Sequence, residues 1–215
     1  FFYDELVPKS NNNDRKGRKP GAYKWYEIQD NTAYHELFLA PKIIWIEISD
    51  KANYAFDESG HFLTNSAYFI SGNSLKYLVA VLNSSVADYY FFQITAKIAG
   101  GRKRYTKQYV EQVPIPKVSK DEQVTYDQLV DYVINSKKLS TDLIFSFFEQ
   151  LLDALVFELY FKEELQSANK QILPHLGDLK PITDEMSEEE KLAIIQSEFE
   201  RLYDPNHPVR NNLET

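Results

Sequence analysis

Hydrophobic positions change their spacing about halfway along the 215-residue chain. Up to about residue 118 they come in short runs. Ile43 to Ile48 is a continuous β-branched and aromatic run, too short for a typical helix, and predicts a buried strand. "KWYEIQD" predicts a short strand or turn. "NYAFDESGHFLTNSAYFISG" predicts two short strands around a turn at Glu58-Ser59-Gly60. Ser74 then offers an N-cap to "LKYLVAVLNSS", where Leu75, Leu78, Val79 and Leu82 share one helical face. Asn83, Ser84 and Ser85 interrupt it before a second helical stretch, "VADYYFFQITAKI". "VPIP" at 113–116 predicts an extended exit, because each proline lacks an N–H and restricts its predecessor.

The later spacing is helical. Residues 121–138 predict one helix. The next carries apolar pairs four residues apart, from Leu143/Ile144 through Phe147/Phe148, Leu151/Leu152 and Leu155/Val156 to Leu159/Tyr160. A four-residue repeat drifts by roughly 40° per step, so the stripe winds around the helix and needs partners on more than one side. We expect that helix to lie between another helix and the first part of the chain. Residues 187–203 predict an acidic helix with a Ser187/Glu190 capping box. The last dozen residues predict a loop or tail. The resulting fold class is α+β: a mixed α/β domain with a β-rich core over 1–118, then a helical segment with an acidic C-terminal tail over 119–215.

Composition narrows the chemistry. There is no cysteine, which excludes disulfides and thiolate zinc sites and suits a cytoplasmic protein. No apolar run approaches the roughly 20 residues of a membrane span, so no membrane partner is expected. The chain opens at Phe1 without Met, so a piece of a longer protein is expected. Neither a P-loop nor a Rossmann spacing occurs in "ISGNS" or "AGGRK". His35, His61, His175 and His207 are scattered, without a metal-binding spacing. Asp30 followed by Glu47-Ile48-Ser49 has the outline of a metal-dependent nuclease pattern but lacks its lysine, and Glu47 reads as structural. A binding module is favoured over an enzyme.

Charge is uneven. The net formal charge is −8, yet residues 1–118 carry 15 Lys+Arg against 12 Asp+Glu and residues 119–215 carry 9 against 20. The positive charge concentrates in "AKIAGGRKRYTKQYVEQVPIP", and Gly100 and Gly101 leave its backbone free to approach a polyanion. Arg102, Lys103, Arg104 and Lys107 are the leading candidates for contact with DNA or RNA phosphates or guanine edges, the alternative being an ordinary solvated loop. Lys97, Tyr105 and, from the loop "PKSNNNDRKGRKPGAYK", Arg15, Arg18 and Lys19 come next.

Taken together, "WYEIQD", "PKIIWIEIS", "FDESGHFLTNSAYFI", "LKYLVAVLNSS", "YYFF" and "GGRKRYTKQYVEQVPIPK" resemble the TaqI-like C-terminal specificity domain of restriction–modification enzymes, over about residues 23–117. "FFEQLLDALVFELYFKEE" is similar to the helix that follows such domains, with Asp153, Val156, Leu159 and Tyr160 in its recurring pattern. The resemblance implies sequence-specific recognition of double-stranded DNA by a non-catalytic domain. It also implies an adenine methyltransferase domain upstream in the same parent chain as partner. S-adenosylmethionine, with Mg as a further option, would belong to those upstream domains and no cofactor to this segment. Two rivals remain at this point. One is a helical protein–protein interaction module, suggested by the winding stripe. The other is a catalytic site assembled from scattered carboxylates.

Overall fold

The computed structural model describes residues 2–29, 35–96, 98, 100–139 and 142–214. It is α+β. The elements run α1 (Tyr3–Leu6), a 3-10 turn (His35–Phe38), β1 (Lys42–Ile46), β2 (Ile48–Ser49), β3 (Ala55–Asp57) and β4 (Ala67–Ser71). Then come α2 (Leu75–Asn83), α3 (Ser85–Ile94), β5 (Lys103–Arg104), α4 (Lys107–Val110), α5 (Lys120–Ser136) and α6 (Asp142–Tyr160). The chain closes with α7 (Lys162–Ser167), α8 (Leu173–Leu176), α9 (Glu188–Leu202) and α10 (Pro208–Leu213).

The run expected as one strand is divided at Glu47. β1 is the middle of a three-stranded antiparallel sheet, order β3-β1-β4, while β2 pairs with β5. Glu47 joins the two sheets through its backbone. Its N–H donates to the Ser66 carbonyl (3.0 Å), and its carbonyl accepts the Tyr105 N–H (2.7 Å). β1 is largely apolar on both faces, one of them covered and the other covered in part, with Ile46 at its end half exposed. Ile43 and Trp45 pair with Ile70 and Tyr68 on the side of α2, and Ile44 pairs with Phe69 under Phe38. Residues 24–27 of "KWYEIQD", expected as a short strand or turn, form a turn, with the Glu27 N–H donating to the Lys24 carbonyl (3.0 Å).

β3 and β4 do not pair with each other, since β1 lies between them. The chain after β3 is turned by Asp57, which accepts the N–H groups of Ser59 and His61 (both 3.1 Å) and the His61 Nδ1 (2.7 Å). Asp57 also binds the ammonium of Lys42, which is fully buried in β1 and donates to the Phe38 carbonyl (2.6 Å). Burial opposes ionisation of Asp57, but its bonds from Lys42, His61 and the two N–H groups outweigh it. Its carboxyl is held well below the usual carboxylate range.

α2 is buried on nearly every side, through Leu75, Tyr77 and Val79 to Leu82. Ser74 does not cap it by its side chain. Its backbone is left-handed (φ 56°), and its hydroxyl donates instead to Gln123 of α5 (3.0 Å). Asp127 of α5 lies close to the Tyr77 backbone at that helix end. At the other end, the Asn83 side chain pairs with both backbone groups of Tyr54 (3.0 and 2.8 Å), and the Ser84 hydroxyl caps α3 at the Ala87 N–H (3.2 Å).

The winding stripe of α6 is consumed inside the molecule. Ile144, Phe147, Phe148, Leu151, Leu155 and Val156 are buried, against α5 and α9 and against α2 and α3 of the first part. Most of the stripe that suggested a helical interaction module is thus used within the chain itself, although Leu143 at its start is half exposed. The Asp-x-x-Val-x-x-Leu-Tyr pattern joins the two parts. Asp153 accepts the Ser85 N–H at the start of α3 (2.7 Å), and the Tyr160 hydroxyl donates to the Pro114 carbonyl (2.5 Å). Tyr77 donates likewise to Pro116 (2.7 Å), so two tyrosines hold the proline-rich exit.

The expected C-terminal tail is folded. α10 starts at Pro208, a residue suited to the first helical turn, and buries Val209 completely. Its Asn212 amide donates to the Gln171 carbonyl (2.7 Å). Short helices whose core contact is one or two residues leave no periodic pattern to read. The buried residues of both parts form one hydrophobic core.

Candidate nucleic-acid interface

The basic segment begins as α3 ends. The Ile98 N–H donates to the Arg102 carbonyl (3.1 Å) and the Gly101 N–H to the Ile98 carbonyl (3.2 Å), closing a tight turn. Gly100 and Gly101 both have positive φ (83° and 78°), where a side chain would strain the backbone. The chain then enters β5, which pairs Ser49 with Lys103 and Ile48 with Arg104.

Strand alternation separates the cations. Lys103 turns inward and forms an ion pair with Asp88 of α3 (2.5 Å), lying over the Phe92 ring (5.6 Å). Tyr105 turns inward as well and is 2% exposed. Its ring stacks on Phe91 at 4.3 Å, and its hydroxyl donates to Asp88 (2.8 Å). Burial and the Asp88 charge push the Tyr105 hydroxyl far above the usual tyrosine range. Asp88 further accepts the Ala52 N–H (3.1 Å), and Trp45 Nε1–H donates to the Tyr105 carbonyl (2.7 Å). Lys103 and Tyr105, two candidate DNA contacts from the sequence, are thus interior groups that anchor the segment, with Asp88 as the hub.

Arg102, Arg104 and Lys107 face solvent. Arg104 lies 3.6 Å from Glu47, with half its side chain exposed. Lys107 stands at the start of α4, at the rim of an apolar cavity of about 350 Å³ lined by Trp45, Tyr68, Ile70, Leu78 and Val110. Apart from Lys107 itself, that lining offers a phosphate no cation. Lys97 and Asp30 lie outside the described residues.

The second basic stretch is built by Arg18. Its Nε donates to the Leu6 carbonyl (2.6 Å), and its two terminal nitrogens donate to the carbonyls of Glu27 (2.9 Å), Lys24 (3.1 Å) and Trp25 (3.0 Å). Its guanidinium also covers the Tyr23 ring (4.8 Å). Arg18, a sequence candidate for DNA contact, has its donors committed to the backbone. Arg15 and Lys19 stay on the surface, beside Lys16. Among the described residues no group of acidic or histidine side chains could hold a metal ion, and no helix is long and apolar enough to cross a membrane.

A family model described as the TaqI-like C-terminal specificity domain matches residues 4–115, just over half of the chain. The match takes in both basic stretches, the two small sheets, α2, α3, α4 and the start of the proline exit. It begins well before the region where the resemblance is visible by eye. Domains of this family serve DNA sequence specificity in restriction–modification enzymes and are generally non-catalytic. The chain belongs to the family of TaqI-like C-terminal specificity domains.

Proposed function

We propose that this chain reads a specific sequence in double-stranded DNA on behalf of an adenine methyltransferase in the same polypeptide, the parent being a type II restriction–modification enzyme of the cytoplasm. Residues 1–118 would be the target-recognition domain, and residues 119–215 its helical support. S-adenosylmethionine, and Mg if the parent also cuts, would be held by the upstream domains, and the chemistry would occur there. The observation that carries this reading, beside the family match, is the sorting of the basic segment. Lys103 and Tyr105 fasten it to α3, while Arg102, Arg104 and Lys107 are left outward next to a glycine turn. A rigidly anchored set of outward cations suits phosphate contact, and an arginine in such a set suits a guanine edge.

Selection from a pool of random duplexes tests it. The chain should enrich one shared sequence, and Arg102→Ala with Arg104→Ala should reduce that enrichment. Retention of all duplexes alike, unaffected by the two substitutions, would remove the claim of specificity.

A further inference from the structure

Residues 2–29 contain no buried side chain, unlike every other stretch of comparable length up to residue 176. The segment is nonetheless shaped. The Arg18 N–H donates to the Val7 carbonyl (2.9 Å) and the Lys9 N–H to the Arg18 carbonyl (3.0 Å). Gly17 sits at φ 98°, where an added Cβ would meet the Val7 oxygen at 2.8 Å, so the crossing admits no larger residue. The guanidinium of Arg18 then gathers four carbonyls from both ends of the segment. What this frame displays is aromatic. Trp25 packs edge-on against Tyr3 (5.9 Å) and Tyr26 (5.5 Å), and the three rings are 45%, 58% and 61% exposed. Lys24 lies 5.6 Å from the Tyr26 ring, and Arg15 and Lys16 are exposed on the same short segment.

Exposed rings held rigidly beside cations match a duplex, whose phosphates meet the cations and whose sugars and groove edges meet the rings. We infer that residues 2–29 form a DNA-contacting arm in which Trp25 and Tyr26 press on the duplex, Arg15 and Lys16 meet its phosphates, and Arg18 is a positioning residue. The inference rests on the DNA-recognition reading above and extends it to a second surface. Arg18 acts through geometry. A lysine keeps its charge but cannot serve four carbonyls from a planar fork.

Tryptophan fluorescence tests this on the full chain, because the only other tryptophan, Trp45, is 6% exposed and bonded to Tyr105. Adding duplex should change the emission, and Trp25→Phe should abolish that change. Trp25→Ala should weaken binding about tenfold with the salt dependence unaltered, whereas Arg15→Ala with Lys16→Ala should lower the log–log salt slope by roughly two. Arg18→Lys should weaken binding as much as Arg18→Ala and speed proteolysis within residues 2–29. If Arg18→Lys binds like the parent chain, Arg18 is an ordinary cation and the positioning role is overturned. DNA binding that depends on Arg102, Arg104 and Lys107 but leaves Trp25 emission unchanged would overturn the arm alone. No DNA binding by any version of the chain would overturn the recognition reading itself.

Discussion

Lys103 and Arg104 are neighbours in sequence with opposite fates, because successive side chains of a strand point to opposite faces. Lys103 is closed over by α3, and Arg104 is left to solvent. The pair separates stability from binding. Lys103→Ala leaves the Asp88 carboxylate without its cation and should cost about 1–3 kcal/mol in urea unfolding. Arg104→Ala should change stability by less than about 0.5 kcal/mol and act on DNA affinity. A similar logic governs Lys42, a cation with no exposure whose neutralisation rests on Asp57. Removing one partner of such a pair strands the other, so Asp57→Ala should cost about 3–5 kcal/mol. Because folding lowers the pKa of Asp57 and so favours its carboxylate, its stabilisation is fully present above about pH 4 and is lost as pH falls below that. Urea midpoints measured from pH 6 to pH 2 should therefore fall less steeply in Asp57→Ala than in the parent. Equal steepness would assign the acid sensitivity elsewhere.

At the scale of elements, the caps show what a sequence discloses. The boxes Ser119/Glu122 and Ser187/Glu190 both form, since each is complete within four residues. Ser74 has Tyr77 where those two boxes have a glutamate, and its hydroxyl goes instead to Gln123 on a helix some fifty residues away. The α6 pattern was legible as a pattern, but its meaning was not. Asp153 and Tyr160 act on Ser85 and Pro114, contacts that only the folded chain brings together. In the candidate interface the cluster was legible as charge. The inward turn of Lys103 and Tyr105 depended on the pairing of β5 with β2, and the framing role of Arg18 on four carbonyls that no spacing rule connects. Asp153→Ala should cost about 1 kcal/mol as a lost cap, and Tyr160→Phe about 1 kcal/mol as a lost hydrogen bond. Both are measurable by urea unfolding. No loss in either would mean that the junction between the two parts is held by apolar packing alone.

The molecule as a whole has one core despite its divided charge. Tyr77 of α2 meets Tyr126 of α5 ring to ring at 5.2 Å, and Tyr126 donates in turn to the Leu155 carbonyl of α6 (3.2 Å). Such contiguity requires residues 42–202 to unfold as one cooperative unit. Tryptophan emission and far-ultraviolet circular dichroism should then trace the same melting curve, and two separated transitions would show independent halves. The second part, with 9 Lys+Arg against 20 Asp+Glu, is the more repulsive to a polyanion, and the first part, with 15 against 12, is the more receptive to engaging one.

The most direct measurement of that engagement is the salt dependence of duplex binding, followed by fluorescence anisotropy, for the parent chain, for Lys103→Ala, and for Arg102→Ala, Arg104→Ala and Lys107→Ala combined. The log–log slope counts the phosphates neutralised, at about 0.9 per phosphate. The combined variant should lower the slope by roughly two to three and weaken binding to every duplex, while Lys103→Ala, if it remains folded, should keep the parent slope. An unchanged slope and affinity in the combined variant would contradict the account, because the outward face of the basic segment would then be a solvated loop and not the surface that meets DNA.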